Sequence, residues 1–128
     1  MDYEQFIFEL MDSEPAVFAG AVIDKKGVLK YQTDNWDLQQ EIDEINEVID
    51  EARKPEGSNP GKITIMKVSY MVVEFTPERV IGTNVSHKGH IIISLGDNGA
   101  IIAFIDPSKG PRDALFNVQS FARKLWTG

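Results

Sequence analysis

The sequence contains no cysteine, which excludes disulfide bonds, a thiolate nucleophile and a cysteine-ligated zinc site. No apolar run approaches the roughly 20 residues that a membrane-spanning helix requires. The first residues, Met1-Asp-Tyr-Glu4, lack the basic start of a signal peptide. Together these absences predict an intracellular protein of the cytoplasm.

Motifs of nucleotide binding and catalysis are missing as well. The sequence has no P-loop, no dinucleotide-binding GxGxxG pattern and no GxSxG nucleophile elbow. His87 and His90 form a His-x-x-His pair, but we expect this segment to be a strand or its entry, where side chains three apart point to opposite faces. We therefore predict two surface histidines, no metal site, no cofactor and no enzymatic activity.

The composition is that of an ordinary globular domain, but the charge is unevenly distributed. The chain has 128 residues, 42% hydrophobic and 26% charged, which predicts one domain spanning residues 1–128. Residues 1–61 carry 15 acidic and 5 basic side chains, whereas residues 62–128 carry 5 acidic and 8 basic ones. The net charge of −7 argues against nucleic acid as a partner. The basic second half suits an acidic partner, although a solvated surface without any partner explains the asymmetry at least as well.

Five β-forming segments follow one another between Lys62 and Pro107. They are rich in β-branched or aromatic residues and are bounded by Gly, Pro, Asn or Asp. The segments are 62–68, 70–75, 79–81, 90–95 and 100–105. Short linkers favour antiparallel pairing, and Gly96-Asp-Asn-Gly99 is typical of a hairpin turn because Asn-Gly readily adopts positive φ. This stretch therefore predicts an antiparallel meander.

Three segments have the 3.6-residue periodicity of amphipathic helices. The first spans residues 2–14, the second residues 37–54, and the third follows Asp113, which can cap it. Residues 34–52 carry eight acidic side chains and no basic one. We interpret most of this acidic run as the solvated outer face of the second helix.

Between the first two helices, residues 16–24 and 27–33 predict a β-hairpin that turns at Gly27. Gly20 within its first strand indicates a bulge or the close approach of a helix. The order is then helix, two strands, helix, about five strands, helix. We predict an α+β fold in which a central antiparallel sheet of six to seven strands has the N- and C-terminal helices on one face and the middle helix on the other.

Seven segments spread over nearly the whole chain match one known family in sequence and order. They are 3–10 (YEQFIFEL), 19–28 (AGAVIDKKGV), 40–42 (QEI), 63–73 (ITIMKVSYMVV), 80–82 (VIG), 89–93 (GHIII) and 100–107 (AIIAFIDP). In this order they resemble profilin, the small actin-monomer-binding protein. The first is similar to the N-terminal W-x-x-Y helix of profilins, with Tyr3 and Phe6 at the two aromatic positions. The fourth is similar to their strand, tight turn and K-Y-M-V sequence.

The sequence departs from profilins at positions that the family uses for binding. Ser69 and Gly82 stand where profilins commonly have basic residues of the actin-binding face. Lys30 occupies or adjoins the position of the family's second tryptophan. Arg123 or Lys124 replaces the tyrosine of the groove for proline-rich ligands. The chain therefore resembles a divergent profilin of archaeal type rather than a plant or animal one.

The resemblance implies a profilin-like monomer that binds monomeric actin and regulates its polymerisation as part of the cytoskeleton. The actin-contacting residues expected from it are Val72, Glu74, Arg79, Gly82, Asn84, Lys88, Lys109, Arg112 and Asn117. Proline-rich peptides would bind weakly or with altered preference between the terminal helices. The residues expected there are Tyr3, Phe6, Lys30, Arg123, Lys124 and Trp126. We also expect weak binding of anionic phospholipid head groups.

Two other classes of protein remain compatible with the pattern of elements. A roadblock- or longin-like module that binds small GTPases also combines helices with a five-stranded antiparallel sheet, and typically dimerises through a helix or an edge strand. A small-molecule sensor of the PAS type requires an internal pocket.

Overall fold

The computed structural model describes residues 2–127, with side chains described for residues 2–124. Within these residues, helices and strands follow one another in the predicted order. Numbered along the chain, they are α1 Tyr3–Ser13, β1 Val17–Asp24, β2 Leu29–Gln32, α2 Ile42–Arg53, β3 Lys62–Ile65, β4 Val68–Phe75, β5 Arg79–Thr83, β6 His90–Gly96, β7 Gly99–Ile105 and α3 Pro111–Thr127. None of the helices in the described part of the chain is long and apolar enough to cross a membrane.

The seven strands form one sheet in the order β2-β1-β7-β6-β5-β4-β3, and every neighbouring pair is antiparallel. Side-chain alternation divides the apolar residues into two clusters, one on each face. On one face α2 buries Ile45 and Ile49. On the other, α1 buries Ile7 and α3 buries Val118. The predicted α+β architecture, with the terminal helices opposite the middle one, is confirmed.

Helix α1 is capped at its N-terminus and packs closely on the sheet. The Asp2 carboxylate accepts a hydrogen bond from the backbone N–H of Gln5 at 3.0 Å, which caps the helix. A Cβ on Gly20 of β1 would lie only 2.9 Å from Ile7 Cγ2. Glycine therefore lets α1 approach the sheet closely, as predicted.

Helix α2 begins at Ile42, five residues later than predicted. The Asp37 carboxylate accepts a hydrogen bond from the N–H of Gln39 at 3.0 Å, and the N–H of Leu38 donates to Gln32 Oε1 at 2.9 Å. These side-chain bonds satisfy backbone groups without a helix, and a short 3₁₀ turn at Gln39–Glu41 leads into α2. Leu38 is nevertheless buried.

The segment 62–68, predicted as one strand, is interrupted by a tight turn. Met66 and Lys67 both have positive φ, 49° and 67°, and Val68 starts the returning strand β4. Two consecutive positive φ values are characteristic of the type I′ hairpin turn, which normally selects Asn and Gly. Met-Lys gives no such signal in the sequence.

Two further turns differ in detail from the sequence expectation. Helix α3 begins at Pro111 rather than at a cap on Asp113, because proline at the first helical position needs no hydrogen-bond partner for its nitrogen. The Asp113 carboxylate instead accepts from the N–H of Gly110 at 3.3 Å. The β6–β7 hairpin forms where predicted, but the positive φ falls on Gly99 (152°) and not on Asn98.

Candidate functional site

One face of the sheet is only partly covered by helices. Helix α1 packs on β1 and β2 and α3 packs on β6 and β7, so the same face of β4 and β5 is accessible beside α3. Met71 and Val73 of β4 are 50% and 51% exposed, and Phe116 of α3 is 76% exposed. We call this surface the open sheet face; it consists of Met71, Val73, Glu74, Arg79, Thr83, Arg112 and Phe116.

An ion-pair network joins α3 to β4 and β5 on this face. The Glu74 carboxylate accepts hydrogen bonds from the guanidinium groups of Arg79 and Arg112. Burial opposes the charged form of Glu74, but the hydrogen bonds from Arg112 and Arg79 outweigh this cost and lower its pKa. The carboxylate is therefore ionised at neutral pH and holds both arginines. Phe116 follows Arg112 by one helical turn and so lies on the same side of α3.

A β-bulge in β4 determines which side chains reach the open sheet face. Val72 pairs with Gly82, and Val73 is the extra residue. Val72 is buried on the α2 side, and a Cβ on Gly82 would lie 2.9 Å from Tyr70 Cβ. Val72 and Gly82 thus face the α2 side of the sheet, away from the open sheet face, and their roles as actin contacts stay predictions. Their neighbours Met71 and Val73 are exposed instead.

Asn84, another predicted contact residue, shapes the loop between β5 and β6. Its Oδ1 accepts from the backbone N–H of Ser86 at 2.8 Å and of Lys88 at 3.1 Å. Its Nδ2 donates to the carbonyl of Ser69 at 2.8 Å. The polar groups of Asn84 are thus used within the fold, whereas the Lys88 side chain is exposed.

The α3 side of the predicted site divides in the same way. Lys109, in the turn before α3, is exposed. Asn117 is half-buried, and its Nδ2 donates to Glu14 Oε1 at 2.8 Å. This bond ties α3 to the end of α1, so Asn117 has a structural partner within the chain.

The two histidines do not share a site. His87 lies in the β5–β6 turn with φ 62°, not on a strand as expected, while His90 begins β6. His90 Nδ1 lies 3.0 Å from Thr83 Oγ1. Among the described residues, no group of three or more histidine, aspartate or glutamate side chains is arranged to hold a metal ion.

A second candidate surface lies between α1 and α3. We call Tyr3, Phe6, Tyr31, Phe121 and Lys124 the aromatic cluster; its four aromatic residues pack, half-buried, against the core. The rings of Phe6 and Phe121 are 5.7 Å apart at 68°, an edge-to-face contact. Lys124 Nζ lies 4.7 Å from the centre of the Phe121 ring. The structure thus places the basic residue that replaces the family's tyrosine over the ring of Phe121.

A bulge also moves Lys30 out of this cluster. Val22 pairs with Tyr31 and Ile23 pairs with Leu29, so Lys30 is the extra residue of β2 and is exposed. Tyr31 takes the inward position next to α1, and the role of Lys30 in binding proline-rich ligands stays a prediction.

Two predicted residues near the chain's end complete the set for proline-rich ligands. Arg123 is exposed on α3. The side chain of Trp126 lies outside the described residues.

The two surfaces also contain Met71, Val73, Tyr31, Phe116 and Phe121, which the sequence did not mark as candidate site residues. The bulges at Val73 and Lys30 shift strand alternation by one residue and leave no mark in the sequence. Phe116 did carry a signal, because it falls outside the buried stripe of α3.

Comparison with known proteins gives a consistent result. No protein-family model matches the sequence. Loki profilin-1 from Lokiarchaeum sp. (strain GC14_75) is 39% identical over 125 residues, which cover 95% of this chain and 93% of the relative. The structure of LokiProfilin2 in complex with rabbit actin superposes with a TM-score of 0.90 at 40% identity, covering 98% of this chain and 96% of that one. Acanthamoeba castellanii profilin IB shares the fold, with a TM-score of 0.75 at 14% identity. The chain therefore belongs to the profilin family.

Proposed function

We propose that this protein binds monomeric actin through the open sheet face and thereby regulates actin polymerisation. The observation that carries the proposal is the match over nearly the full length of both chains to LokiProfilin2, a protein whose structure was determined with rabbit actin bound. The family membership gives the GTPase-binding and sensor alternatives no support.

The open sheet face has the composition of a protein interface. Exposed large apolar side chains that lie together on a monomer mark interaction surfaces. Here Met71, Val73 and Phe116 supply the apolar part, while Arg79 and Arg112 supply a polar border. Aromatic residues and arginine are enriched at interfaces, and a few such residues carry most of the binding energy.

The ion pairs prepare this surface before a partner arrives. Glu74 holds Arg79 and Arg112 in fixed positions, so less side-chain freedom is lost on binding. Arg79 also lies 3.7 Å from the carboxylate of the exposed Glu78, so the two guanidinium groups are balanced by two carboxylates. Lys109 and Lys88 are exposed and add positive charge around this network.

Regulation then follows from mass action. A subunit whose surface is covered by this protein cannot use that surface to contact a neighbour in a filament. Binding holds monomers and prevents assembly at one end in proportion to the fraction of actin bound. We place this activity in the cytoplasm, with the cytoskeleton.

An actin polymerisation assay tests the proposal. Fluorescently labelled actin, either cognate or rabbit, is polymerised with increasing amounts of the protein, and binding to monomers is measured separately by sedimentation velocity. We expect a concentration-dependent delay and a raised monomer fraction. Unchanged polymerisation at saturating protein, together with no complex in sedimentation, would refute the proposal.

We propose weak binding of proline-rich peptides as a secondary function of the aromatic cluster. A polyproline II helix packs flat proline rings on aromatic side chains at low entropic cost. Tyr3, Phe6 and Phe121 are only half-buried and offer such rings. Lys124 lies over Phe121, so a proline would have to displace it, and this competition keeps affinity low. Binding of anionic phospholipid head groups stays a prediction.

A further inference from the structure

A second apolar surface lies on the opposite face of the sheet, away from the open sheet face. There β1 and β4 form the two walls of a hollow of about 310 Å³, although three strands separate them in the sheet. The sheet must therefore curl, and the hollow is its open mouth beside the loop that precedes α2. We call it the aromatic hollow; its main lining residues are Phe18, Trp36, Met66, Tyr70, Lys88 and Phe104.

Two side chains at the rim of the aromatic hollow are large, apolar and exposed. Phe18 is the extra residue of a β1 bulge and is 45% exposed, and Asn35 Nδ2 donates to its carbonyl at 2.8 Å. Met66 is 49% exposed, and its sulfur accepts from the N–H of Asp37 at 3.2 Å. These two hydrogen bonds fix Phe18 and Met66 at the rim, where their apolar side chains are exposed to water. The floor of the hollow is formed by Trp36 and Phe104, whose ring centroids lie 6.2 Å apart.

The charges around the aromatic hollow are polarised. A smaller adjoining hollow of about 260 Å³ shares Met66 and contains the carboxylates of Asp37 and Glu41, the start of the acidic run that continues along α2. Neither carboxylate belongs to an ion pair formed by the described residues. Lys67 lines the adjoining hollow together with these two carboxylates, whereas Lys88 lies on the rim of the aromatic hollow, in the β5–β6 loop. A ligand therefore meets two carboxylates and one lysine on the α2 side, a net negative charge, and the positive charge of Lys88 on the other side.

We propose that the aromatic hollow binds a peptide segment of a partner protein that has one aromatic or large aliphatic anchor followed, on one side only, by lysine or arginine residues. The anchor fills the hollow between Phe18 and Met66, and the basic residues lie along Asp37 and Glu41. A segment that is basic on both sides of its anchor would bring charge against Lys88 and bind more weakly. The polarity of the rim thus determines the direction of the bound segment.

This inference does not depend on the proposed actin binding, because the open sheet face and the aromatic hollow lie on opposite faces of the sheet and share only Lys88, which lies in the β5–β6 loop. Trp36 forms part of the floor and is nearly buried, so its fluorescence reports directly on occupation of the hollow. The second tryptophan, Trp126, is removed by substitution with phenylalanine to leave Trp36 as the single reporter. A variant that loses actin binding, such as Phe116→Ala, should still show the change in Trp36 fluorescence when the hollow is occupied.

The test titrates the Trp126→Phe protein with a synthetic amidated peptide in which one phenylalanine is followed by four arginines and preceded by uncharged residues. We expect a saturable change in Trp36 emission and amide NMR shifts confined to the hollow. Affinity should fall at least fivefold when the peptide's phenylalanine is replaced by alanine, or when salt is raised from low to physiological concentration and beyond. Phe18→Ser, at an exposed position, should weaken binding without unfolding the protein.

Matched charge variants separate a directed site from general attraction to an acidic protein. Asp37→Asn combined with Glu41→Gln should reduce affinity at least fivefold, whereas Glu44→Gln combined with Glu47→Gln, which removes the same charge further along α2, should change it less than twofold. Equal effects of the two pairs, or equal binding of the peptide with and without its phenylalanine, would overturn the proposal. An absence of any Trp36 or NMR response at millimolar peptide would overturn it as well.

Discussion

The open sheet face and the aromatic cluster both contain aromatic and basic side chains, but they use them differently. On the open sheet face, Met71, Val73 and Phe116 face water, and the basic groups are paired with a carboxylate. In the aromatic cluster, Phe6 packs against Phe121 and Lys124 lies over that ring. The first surface leaves its apolar groups without partners, whereas the second largely satisfies its own.

This difference indicates which surface gains more from an external ligand. Covering exposed apolar area is favourable by about 25 cal/mol per Å². A ligand of the aromatic cluster must first break contacts that already exist. We therefore expect strong dependence of actin binding on the open sheet face and a small, adjustable affinity at the aromatic cluster.

Phe116→Ala tests the open sheet face and should have the largest effect. An aromatic residue at the centre of an interface typically contributes at least about 2 kcal/mol, so actin affinity should fall about 30-fold or more. Stability should change little, because Phe116 is exposed. Sedimentation velocity with monomeric actin gives the affinity. The matched control is Phe8→Ala, which removes an exposed phenylalanine from α1. An equal loss of actin affinity in both variants would show that the open sheet face is not the binding surface.

Glu74→Gln separates the paired arginines from their carboxylate. We expect a loss of about 1–2 kcal/mol in the free energy of unfolding, because charged hydrogen bonds to a partly buried group are removed. The pKa of Glu74 is lowered in the folded protein, so its contribution is complete above the ordinary value of 4.5 and is lost as pH falls through the folded-state pKa. Denaturant titrations at neutral and acidic pH should show the difference between wild type and variant narrowing with acid. If the difference in the free energy of unfolding between wild type and variant did not change with pH, the ionised carboxylate of Glu74 would not be the group that stabilises the fold.

Lys124→Ala tests whether the aromatic cluster is restrained by its own cation. Removing the ammonium group frees the face of Phe121, so affinity for a polyproline peptide should rise two- to fivefold, in line with the modest strength of an exposed cation–π contact. Amide NMR titrations measure the change. Lys30→Ala removes the same charge at the β2 bulge and should leave the affinity for the peptide unchanged. A change in affinity with Lys30→Ala and none with Lys124→Ala would place the peptide-binding groove next to β2 instead.

Lys109→Glu should produce the smallest effect. Lys109 is exposed at the border of the open sheet face, where charge alters the association rate more than the lifetime of a complex. We expect a two- to threefold slower association with actin at low salt and no difference at high salt. Stopped-flow fluorescence measures the rate. Lys25→Glu, in the β1–β2 turn, is the control, and an equal effect there would indicate that only net charge matters.

The sequence predicts the architecture well because periodicity averages over many residues. The stripes of α1 and α2 and the run of β-branched segments each repeat the same preference several times, so tertiary packing does not reverse them. Element boundaries depend on single contacts instead. Helix α2 starts late because the side chains of Asp37 and Gln32 bind backbone N–H groups, which no periodicity reveals.

The candidate site is less predictable for a geometric reason. Once a strand contains a bulge, every residue beyond it changes face, and the sequence does not show where the bulge is. The resemblance to profilins pointed to Val72 and Lys30, whereas the structure exposes Val73 beside the first and packs Tyr31, beside the second, against the core. The pairing of Arg79 and Arg112 with one glutamate requires α3 to be docked, and so it appears only in the folded chain.

The turn at Met66 and Lys67 has a consequence for local opening of the protein. Left-handed backbone costs an L-residue about 1 kcal/mol or more, and here two consecutive residues without glycine's freedom adopt it. Strand β3 is short, lies at the edge of the sheet and is closed by this unfavourable turn. Its amide hydrogens should therefore exchange with solvent faster than those of the central strand β6. One wall of the aromatic hollow thus belongs to a weakly protected edge hairpin, and a segment bound in the hollow would be detected as slower amide exchange there.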